Sequence, residues 1–207
     1  MDTEQYFNKT EEQQFEEAKS WFKQNGSAIL LAMLVGASAV FGWNFWKNHN
    51  QQISQESSAA YDNVIESYLQ DPIKNEPLVE KFIKESGHNS YATFAQFTEA
   101  QQLVNKGDFA KAKTVLEQAV NAEDATLQTV ARFRLAQVDY QLQNYDAALA
   151  ILGQIKEKAW ALRKAVLTGD ILVAKGDNAG AKSAYQQALA DAPEQEKALI
   201  ELRLNNL

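Results

Sequence analysis

The segment 24–46 constrains the fold more than any other part of the chain, because it holds 23 consecutive residues without a charged side chain. At a rise of about 1.5 Å per residue, a helix of this length spans about 34 Å, which is enough to cross a hydrocarbon core of about 30 Å. Aromatic side chains occur at both ends, as is typical of residues at the two headgroup levels. The sequence therefore predicts one transmembrane helix in a lipid bilayer, with five membrane-interface anchors: Trp21, Phe22, Trp43, Phe45 and Trp46.

Two alternatives to an uncleaved membrane helix stay open. A buried core helix has the same length, although core helices rarely carry aromatic residues at both ends. A cleaved signal peptide is favoured by Ala37-Ser38-Ala39, which matches a small-x-small cleavage site. However, the 26 residues before the apolar core carry six acidic side chains, whereas a signal peptide begins with a short basic region. We therefore expect the helix to remain attached.

Basic residues predict the orientation of the helix. Lys19 and Lys23, with Lys9 further out, precede the apolar segment, and only Lys47 follows it within 20 residues. Because basic residues favour the cytoplasmic side, the N-terminus is expected in the cytoplasm and the large C-terminal part across the membrane. The predicted organisation is a cytoplasmic segment 1–23, a transmembrane helix 24–46, a juxtamembrane helix or spacer 47–58, and a domain 59–207.

The N-terminal tail has a weak amphipathic pattern. Phe7, Phe15, Ala18 and Phe22 fall on one helical face, and acidic residues occupy most of the rest. An interfacial helix would carry basic residues on its polar face, so a solvated helical tail is the preferred interpretation.

The composition of the remaining chain predicts an all-α fold. The protein has 31 alanines and 3 prolines among 207 residues, and alanine is the strongest helix former. Three segments align with each other at offsets of 36 and 33 residues. The aligned positions hold small residues where two helices of a hairpin approach, and large residues one turn later: Ala100, Ala136 and Gly169; Ala112, Ala148 and Ala181; Leu116, Leu152 and Tyr185.

The turns between the paired helices carry matching signals. Gly107 and Gly176 are suited to a left-handed helix end, and Asp108 and Asp177 are suited to cap the next helix. Asn144 is expected to serve in the middle unit. A period near 34 residues with these signals predicts a solenoid of tetratricopeptide-like (TPR-like) hairpins. The alternative is a chance similarity among alanine-rich amphipathic helices.

The flanking segments are expected to form atypical end units, as is usual for repeat arrays. Ile65 and Tyr68 belong to a predicted helix that Asp71-Pro72 interrupts, and a second helix is predicted to end at Gly87. The last helix is expected to turn three apolar side chains inward: Leu199, Leu202 and Leu204.

The sequence contains no recognisable pattern of catalytic residues. The absence of cysteine excludes disulfides, thiolate metal sites and cysteine nucleophiles. Two histidines, His49 and His88, lie far apart in the sequence, and no glycine-rich phosphate loop occurs. A net charge of −7 gives no electrostatic reason to bind nucleic acid. We therefore expect no enzyme activity, no cofactor, no nucleic-acid partner and no small-molecule substrate. Glu76 and Glu80 fit an exposed helix face, with Glu80 paired to Lys84.

Binding to another protein is the remaining function class. In a TPR-like array the first helix of each hairpin lines the concave face, and this position predicts twelve groove residues: Phe94, Phe97, Gln101, Val104, Val130, Phe133, Gln137, Tyr140, Arg163, Val166, Asp170 and Val173. The set is mostly apolar with a single basic residue, so it suits an apolar or extended segment of another protein better than a terminal carboxylate. The alternative is that several of its aromatic residues pack between helices.

The order of these parts resembles a known family. The quoted features are Trp21-Phe22 and Asn25-Gly26, the juxtamembrane Gly42-Trp43-Asn44-Phe45-Trp46, the turn Leu103-Val104-Asn105-Lys106-Gly107, Trp160, Lys175-Gly176-Asp177, and the ending Leu204-Asn205-Asn206-Leu207. Together they are similar to the YfgM family, the ancillary subunit of the bacterial SecYEG translocon, over essentially the full length.

The resemblance implies an inner-membrane protein with a periplasmic TPR-like domain. It also implies association with SecYEG and with the membrane-anchored chaperone PpiD, in the handling of exported client proteins. The family offers no catalytic residues to carry over. The alternative function is a membrane-anchored TPR scaffold for a different cell-envelope complex, and an anchored hydrolase is opposed only by the missing catalytic residues.

Overall fold

The structure, a computed structural model, describes residues 11–207. The chain divides into two compact units, Met1–Glu56 and Ser57–Leu207. Phe7 and Lys9, which entered the predictions for the tail and for the orientation, lie outside the described residues.

The described part of the first unit is helical throughout. Helix α1 runs over Glu11–Gln70, and the stretch Gln13–His49 is long and apolar enough to cross a membrane by its length and composition. The most apolar window of this stretch is 0% buried. A core helix would be largely buried, so this exposure favours the membrane helix. The five predicted interface anchors are all exposed on α1, with Trp21 against Phe22 and Trp43 against Trp46.

The second unit consists of helices joined by short turns. After the end of α1 come α2 (Pro72–Ser86), α3 (Ser90–Asn105), α4 (Phe109–Ala119), α5 (Ala125–Gln141), α6 (Tyr145–Gln154), a short 3₁₀ helix (Lys158–Trp160), α7 (Ala161–Ala174), α8 (Asn178–Asp191) and α9 (Glu194–Asn205). Neighbouring helices pack in sequence, and the three closest pairs are α3 with α4, α5 with α6, and α7 with α8. Residues 11–207 contain no strand. The predicted all-α fold is confirmed.

The turns inside the three hairpins have the same hydrogen bonds. In each, a backbone N–H donates to the carbonyl five residues earlier, which is the Schellman pattern of helix ends. The pairs are Asp108 to Leu103 (2.9 Å), Asn144 to Asp139 (2.8 Å) and Asp177 to Leu172 (2.9 Å). Gly107 and Gly176 have φ angles of 79° and 80°, and the carboxylates of Asp108 and Asp177 accept from backbone N–H groups of the next helix. These features confirm the predicted period.

The middle turn reaches the same geometry with different residues. Gln143 takes a positive φ of 60°, where the other two turns have glycine. Asn144 lies at the N-cap of α6 but makes no side-chain cap. Its side-chain amide instead donates to the carboxylate of Asp139 at 3.0 Å. The expectation that Asn144 caps its helix was therefore wrong, because a buried acceptor attracts its side chain.

The aligned small and large positions form the hairpin cores. The smaller residues on the two helices are buried, and the larger residue one turn later is no more than 2% exposed in each hairpin: Ala100, Ala112 and Leu116; Ala136, Ala148 and Leu152; Gly169, Ala181 and Tyr185. The sequence prediction of these contacts is confirmed.

The flanking helices follow the prediction at one end only. Ile65 and Tyr68 at the end of α1 pack with Val79 and Phe82 of α2. In α9, however, Leu199 and Leu202 are more than half exposed, and Ile200 is buried at 2%. The expected inward face of α9 was therefore wrong for these two leucines.

A long-range hydrogen bond links α9 to α7. Arg203 Nε donates to Asp170 Oδ1 on α7 at 3.0 Å. Ile200 and Leu204 lie four positions apart on one helix face, and this face packs against Ala181 and Tyr185 of α8.

Candidate partner-binding cleft

The twelve predicted groove residues lie on the first helices of the three hairpins, four on each helix. They are Phe94, Phe97, Gln101 and Val104 on α3, Val130, Phe133, Gln137 and Tyr140 on α5, and Arg163, Val166, Asp170 and Val173 on α7. The structure brings four of them together in one cleft and places the other eight in different surroundings.

The cleft lies mainly between α3 and α5 and has a volume of about 550 Å³. We call it the α3–α5 cleft. Its lining consists of apolar side chains, several amides and one cation: Phe97, Ala100, Gln101, Val104, Phe109, Leu116, Arg134, Gln137, Val138 and Gln141. Of the predicted residues, Phe97, Gln101, Val104 and Gln137 are present. Phe97 is buried, whereas Gln101, Val104 and Gln137 are exposed.

The cation in this cleft was missed by the sequence analysis. The guanidinium carbon of Arg134 lies 4.4 Å from the centre of the Phe97 ring, which is a cation–π arrangement. Desolvation lowers the pKa of Arg134, but arginine stays charged at neutral pH. Arg134 directly follows the predicted position Phe133 but was not among the positions that repeat spacing gave.

Two aromatic residues of α5 pack between helices instead. Phe133 lies 5.1 Å from Trp160, centre to centre, and Tyr140 lies 6.1 Å from Tyr145. Both belong to the partly buried rim of the core around Leu152. For these residues the structure matches the packing alternative.

The predicted residues of α7 have mixed environments. Asp170 accepts hydrogen bonds from the hydroxyl of Tyr185 at 2.7 Å and from Arg203, so its carboxylate links α7, α8 and α9. The guanidinium carbon of Arg163 lies 5.4 Å from the centre of the Trp160 ring. Val173 is 40% exposed.

Phe94 belongs to a separate aromatic cluster. Its ring centre lies 6.3 Å from those of Tyr61 and Tyr91. Phe94 therefore adjoins the first end unit rather than the α3–α5 cleft.

The lining of the cleft is suited to binding. Amide side chains such as Gln101 and Gln137 can donate to and accept from the backbone of an extended peptide, while the Phe97 and Val104 side chains offer apolar contact. The lining contains no carboxylate, histidine or hydroxyl group, so it offers no general base or nucleophile of the usual kinds.

Comparison with known proteins gives the same picture of the fold. Residues 19–207 match the family model described as a tetratricopeptide repeat-like domain. No solved structure matches the chain.

Several curated proteins are similar to the chain over nearly its whole length. A Haemophilus influenzae protein is 37% identical over 95% of this chain and 97% of its own. An Aggregatibacter actinomycetemcomitans protein is 39% identical over the same shares. An Escherichia coli protein is 34% identical over 95% of this chain and 96% of its own. Each carries the name ancillary SecYEG translocon subunit.

Proposed function

Because the chain belongs to the TPR-like family of ancillary SecYEG translocon subunits, we propose that it is an accessory subunit of the SecYEG translocon, anchored in the bacterial inner membrane by α1. The observation that carries this proposal is identity of 34–39% to three such subunits over 95% of the chain. Similarity of this extent includes both the membrane stretch and the repeat domain. The resemblance inferred from sequence motifs is thereby confirmed at the level of the family.

The finer part of the proposal concerns partners and location. The domain 59–207 lies in the periplasm, after a cytoplasmic segment 1–23, a membrane helix 24–46 and a juxtamembrane segment 47–58. There the protein works without catalysis beside a membrane-anchored chaperone of the PpiD type and contacts newly exported proteins. The exposed apolar stretch of α1 and the binding character of the α3–α5 cleft support this arrangement.

The occupant of the α3–α5 cleft is, in this proposal, an extended apolar segment of an exported protein. An unfolded segment presents both free backbone groups and apolar side chains. The exposed amides of the cleft match the backbone groups, and Phe97 and Val104 match the side chains. The cleft has a single cation, Arg134, and so lacks the cluster of basic groups that recognises a terminal carboxylate.

The orientation can be tested by protease protection in spheroplasts. External protease is expected to degrade the domain after Trp46 and to spare the N-terminal tail, because Lys19 and Lys23 hold that side in the cytoplasm. Epitope tags at the two ends provide the readout, and lysed spheroplasts are the control in which both tags are cut. Protection of the C-terminal tag, or a mature protein that begins near Val40, would contradict the uncleaved N-in topology.

The cleft can be tested with Val104→Glu in the full chain. Val104 is 36% exposed, so the change is expected to leave thermal unfolding within a few degrees of the wild type while it places a charge in the apolar lining. If the cleft holds an apolar segment, photo-crosslinks from position 101 to exported proteins should fall about tenfold, as for an interface residue that contributes about 1.4 kcal/mol. Leu199→Glu, an exposed apolar-to-acid change outside the cleft, is the matched control.

Co-purification of SecYEG with the same variants separates the outcomes. Retained SecYEG with unchanged crosslinks would reject the cleft but keep the translocon subunit. Loss of crosslinks in Val104→Glu alone, with SecYEG retained, supports both proposals. If the wild type instead co-purifies a different envelope complex without SecYEG, the scaffold alternative is correct.

A further inference from the structure

Among residues 11–207, Arg134 is the single charged side chain that lines the α3–α5 cleft. It belongs to α5, and its guanidinium carbon lies 4.4 Å from the centre of the Phe97 ring on α3. Arg134 therefore reaches from one helix of the cleft to the other. The cleft carries a local positive charge in a chain whose net charge is −7, and apolar contacts with a bound segment give this charge no role.

The N–H groups of Arg134 are free to bind another molecule. Arginine carries five N–H donors, and contact with the face of an aromatic ring uses none of them. Within the described part of the chain, Arg134 makes no hydrogen bond and no ion pair. Arg203 differs, because its Nε donates to the carboxylate of Asp170 at 3.0 Å. The donors of Arg134 therefore remain available in the cleft, where the residue is exposed to solvent.

The Phe97 ring supports the guanidinium group of Arg134. Phe97 is 8% exposed and belongs to the core around Leu116 and Leu135, so its position is fixed by packing. An arginine that is already held in place loses less conformational freedom when it binds a partner. Apolar neighbours such as Val104 also limit the access of water, which strengthens the attraction between opposite charges. The guanidinium group is therefore positioned to bind an anion inside the cleft.

We propose that Arg134 selects segments with a side-chain carboxylate, of aspartate or glutamate, among the extended apolar segments that the α3–α5 cleft binds. This inference rests on the proposed binding of exported proteins at the cleft, and it adds a preference among their segments. Arginine binds a carboxylate through two parallel N–H···O bonds, while Phe97 and Val104 contact the apolar side chains of the same segment. The amides of Gln101 and Gln137 bring no competing charge.

The net charge of the chain distinguishes this preference from a general electrostatic attraction. A protein with a net charge of −7 repels acidic peptides and attracts basic ones. A preference for an acidic segment must therefore come from a cation at the binding site. In residues 11–207 the lining of the cleft holds no carboxylate that would pair with Arg134 in place of the segment.

The test is peptide binding by the full chain in a non-ionic detergent, measured by fluorescence anisotropy. Three peptides with the same dye alternate valine with serine, carry glutamate, glutamine or lysine at the centre, and have both ends blocked so that no terminal charge contributes. The wild type is expected to bind the glutamate peptide about fivefold more tightly than the glutamine peptide, the upper end for an exposed ion pair. The lysine peptide should bind most weakly. Arg134→Gln should bind the glutamate and glutamine peptides alike.

Arg163→Gln is the matched control. Arg163 is also an exposed arginine over an aromatic ring, with its guanidinium carbon 5.4 Å from the centre of the Trp160 ring, but it does not line the α3–α5 cleft. This variant should keep the wild-type preference. Arg134→Glu should reverse the preference, so that the lysine peptide binds best, and Arg134→Lys should keep part of it, because lysine has the charge without the planar fork of donors. Circular dichroism and thermal unfolding check that each variant is folded.

Val104→Glu separates the preference for a carboxylate from the cleft proposal on which it rests. If this variant binds the glutamine peptide more weakly than the wild type does, the peptide occupies the cleft. Equal binding of the glutamate and glutamine peptides by the wild type, or a preference that persists in Arg134→Gln, then overturns the role of Arg134 alone. If no peptide binds the wild type, or if Val104→Glu leaves binding of the glutamine peptide unchanged, both the cleft proposal and the preference are overturned.

Discussion

Replacement of Gly169 by alanine is expected to lower the free energy of unfolding by about 3 kcal/mol, a large effect for the addition of one methyl group. A Cβ at this position would lie 2.3 Å from Cε1 of the Tyr185 ring and 2.6 Å from Cδ1. Tyr185 is 2% exposed, and its hydroxyl donates to Asp170 at 2.7 Å. The ring therefore cannot move aside without loss of this partly buried hydrogen bond.

The matched control for this prediction is Gly153→Ala. Gly153 also lies inside a helix, but a Cβ there would meet nothing within 4 Å. Because alanine has a higher helix propensity than glycine, this variant is expected to gain up to about 1 kcal/mol. Urea unfolding of the full chain, followed by circular dichroism, measures both changes. If both substitutions changed the free energy of unfolding in the same direction, the result would contradict the close packing of α7 on α8.

A second variant identifies Tyr185 as the cause. Tyr185→Leu removes the ring atoms that meet the new methyl group, so Gly169→Ala should be less destabilising in that background than alone. A double-mutant cycle gives the coupling energy, which should exceed about 1 kcal/mol for groups in direct contact. If the effects of Gly169→Ala and Tyr185→Leu were additive, the strain from the new methyl group would not come from the Tyr185 ring.

The period of the fold could be predicted from sequence because it depends on local signals. Gly107-Asp108 and Gly176-Asp177 specify a helix end and a helix start within two residues, and the structure has the expected turn at both. The middle turn carries Gln143-Asn144 instead. There the repeat spacing was sufficient for the position of the turn, but not for the role of Asn144, since its partner Asp139 is buried by packing between helices.

Contacts between distant parts of the chain could not be predicted in the same way. In α9 two apolar faces compete in sequence, one with Leu199 and Leu202 and one with Ile200, and only the second packs against the preceding helices. The carboxylates of Glu80 on α2 and Glu99 on α3 also lie close together, although the two residues are distant in sequence. Helical spacing shows which side chains share one face, but the neighbour of that face depends on the tertiary fold.

The candidate cleft shows the same limit. Repeat positions predicted Phe97, Gln101, Val104 and Gln137, which line it. Equivalent positions on later helices face other neighbours, because Trp160 and the α9 side chains have no counterparts in the first hairpin. Because each hairpin packs against different neighbours, the three hairpins present different surfaces. We therefore expect a bound segment at the first hairpin, where the predicted residues line one cleft.

Lys113→Met is expected to destabilise the protein by about 3–5 kcal/mol at neutral pH, the usual cost of leaving one member of a buried ion pair alone. The ammonium group of Lys113 on α4 donates to Asp139 Oδ1 on α5 at 2.8 Å. Asp139 is 0% exposed, and its second carboxylate oxygen has no partner among the described residues. Without the lysine, the remaining donor to the carboxylate is the neutral amide of Asn144.

Lys197→Met is the control, because burial is the feature that differs. Lys197 also lies 2.8 Å from a carboxylate, that of Glu194, but this carboxylate is 84% exposed. Exposed pairs contribute about 0–1 kcal/mol, so the control should unfold almost like the wild type. Equal losses in the two variants would mean that burial of Asp139 does not determine the energy of its ion pair.

The charge itself is tested by Lys113→Met combined with Asp139→Asn. Asparagine keeps the shape of the side chain and can still accept the bond from Asn144, but it brings no charge into the interior. Most of the lost stability should therefore return in the double variant, because no uncompensated charge is left in the interior. A double variant as unstable as the single one would assign the loss to the lysine's aliphatic packing, and Lys113 would then join α4 to α5 through its methylene groups rather than through its charge.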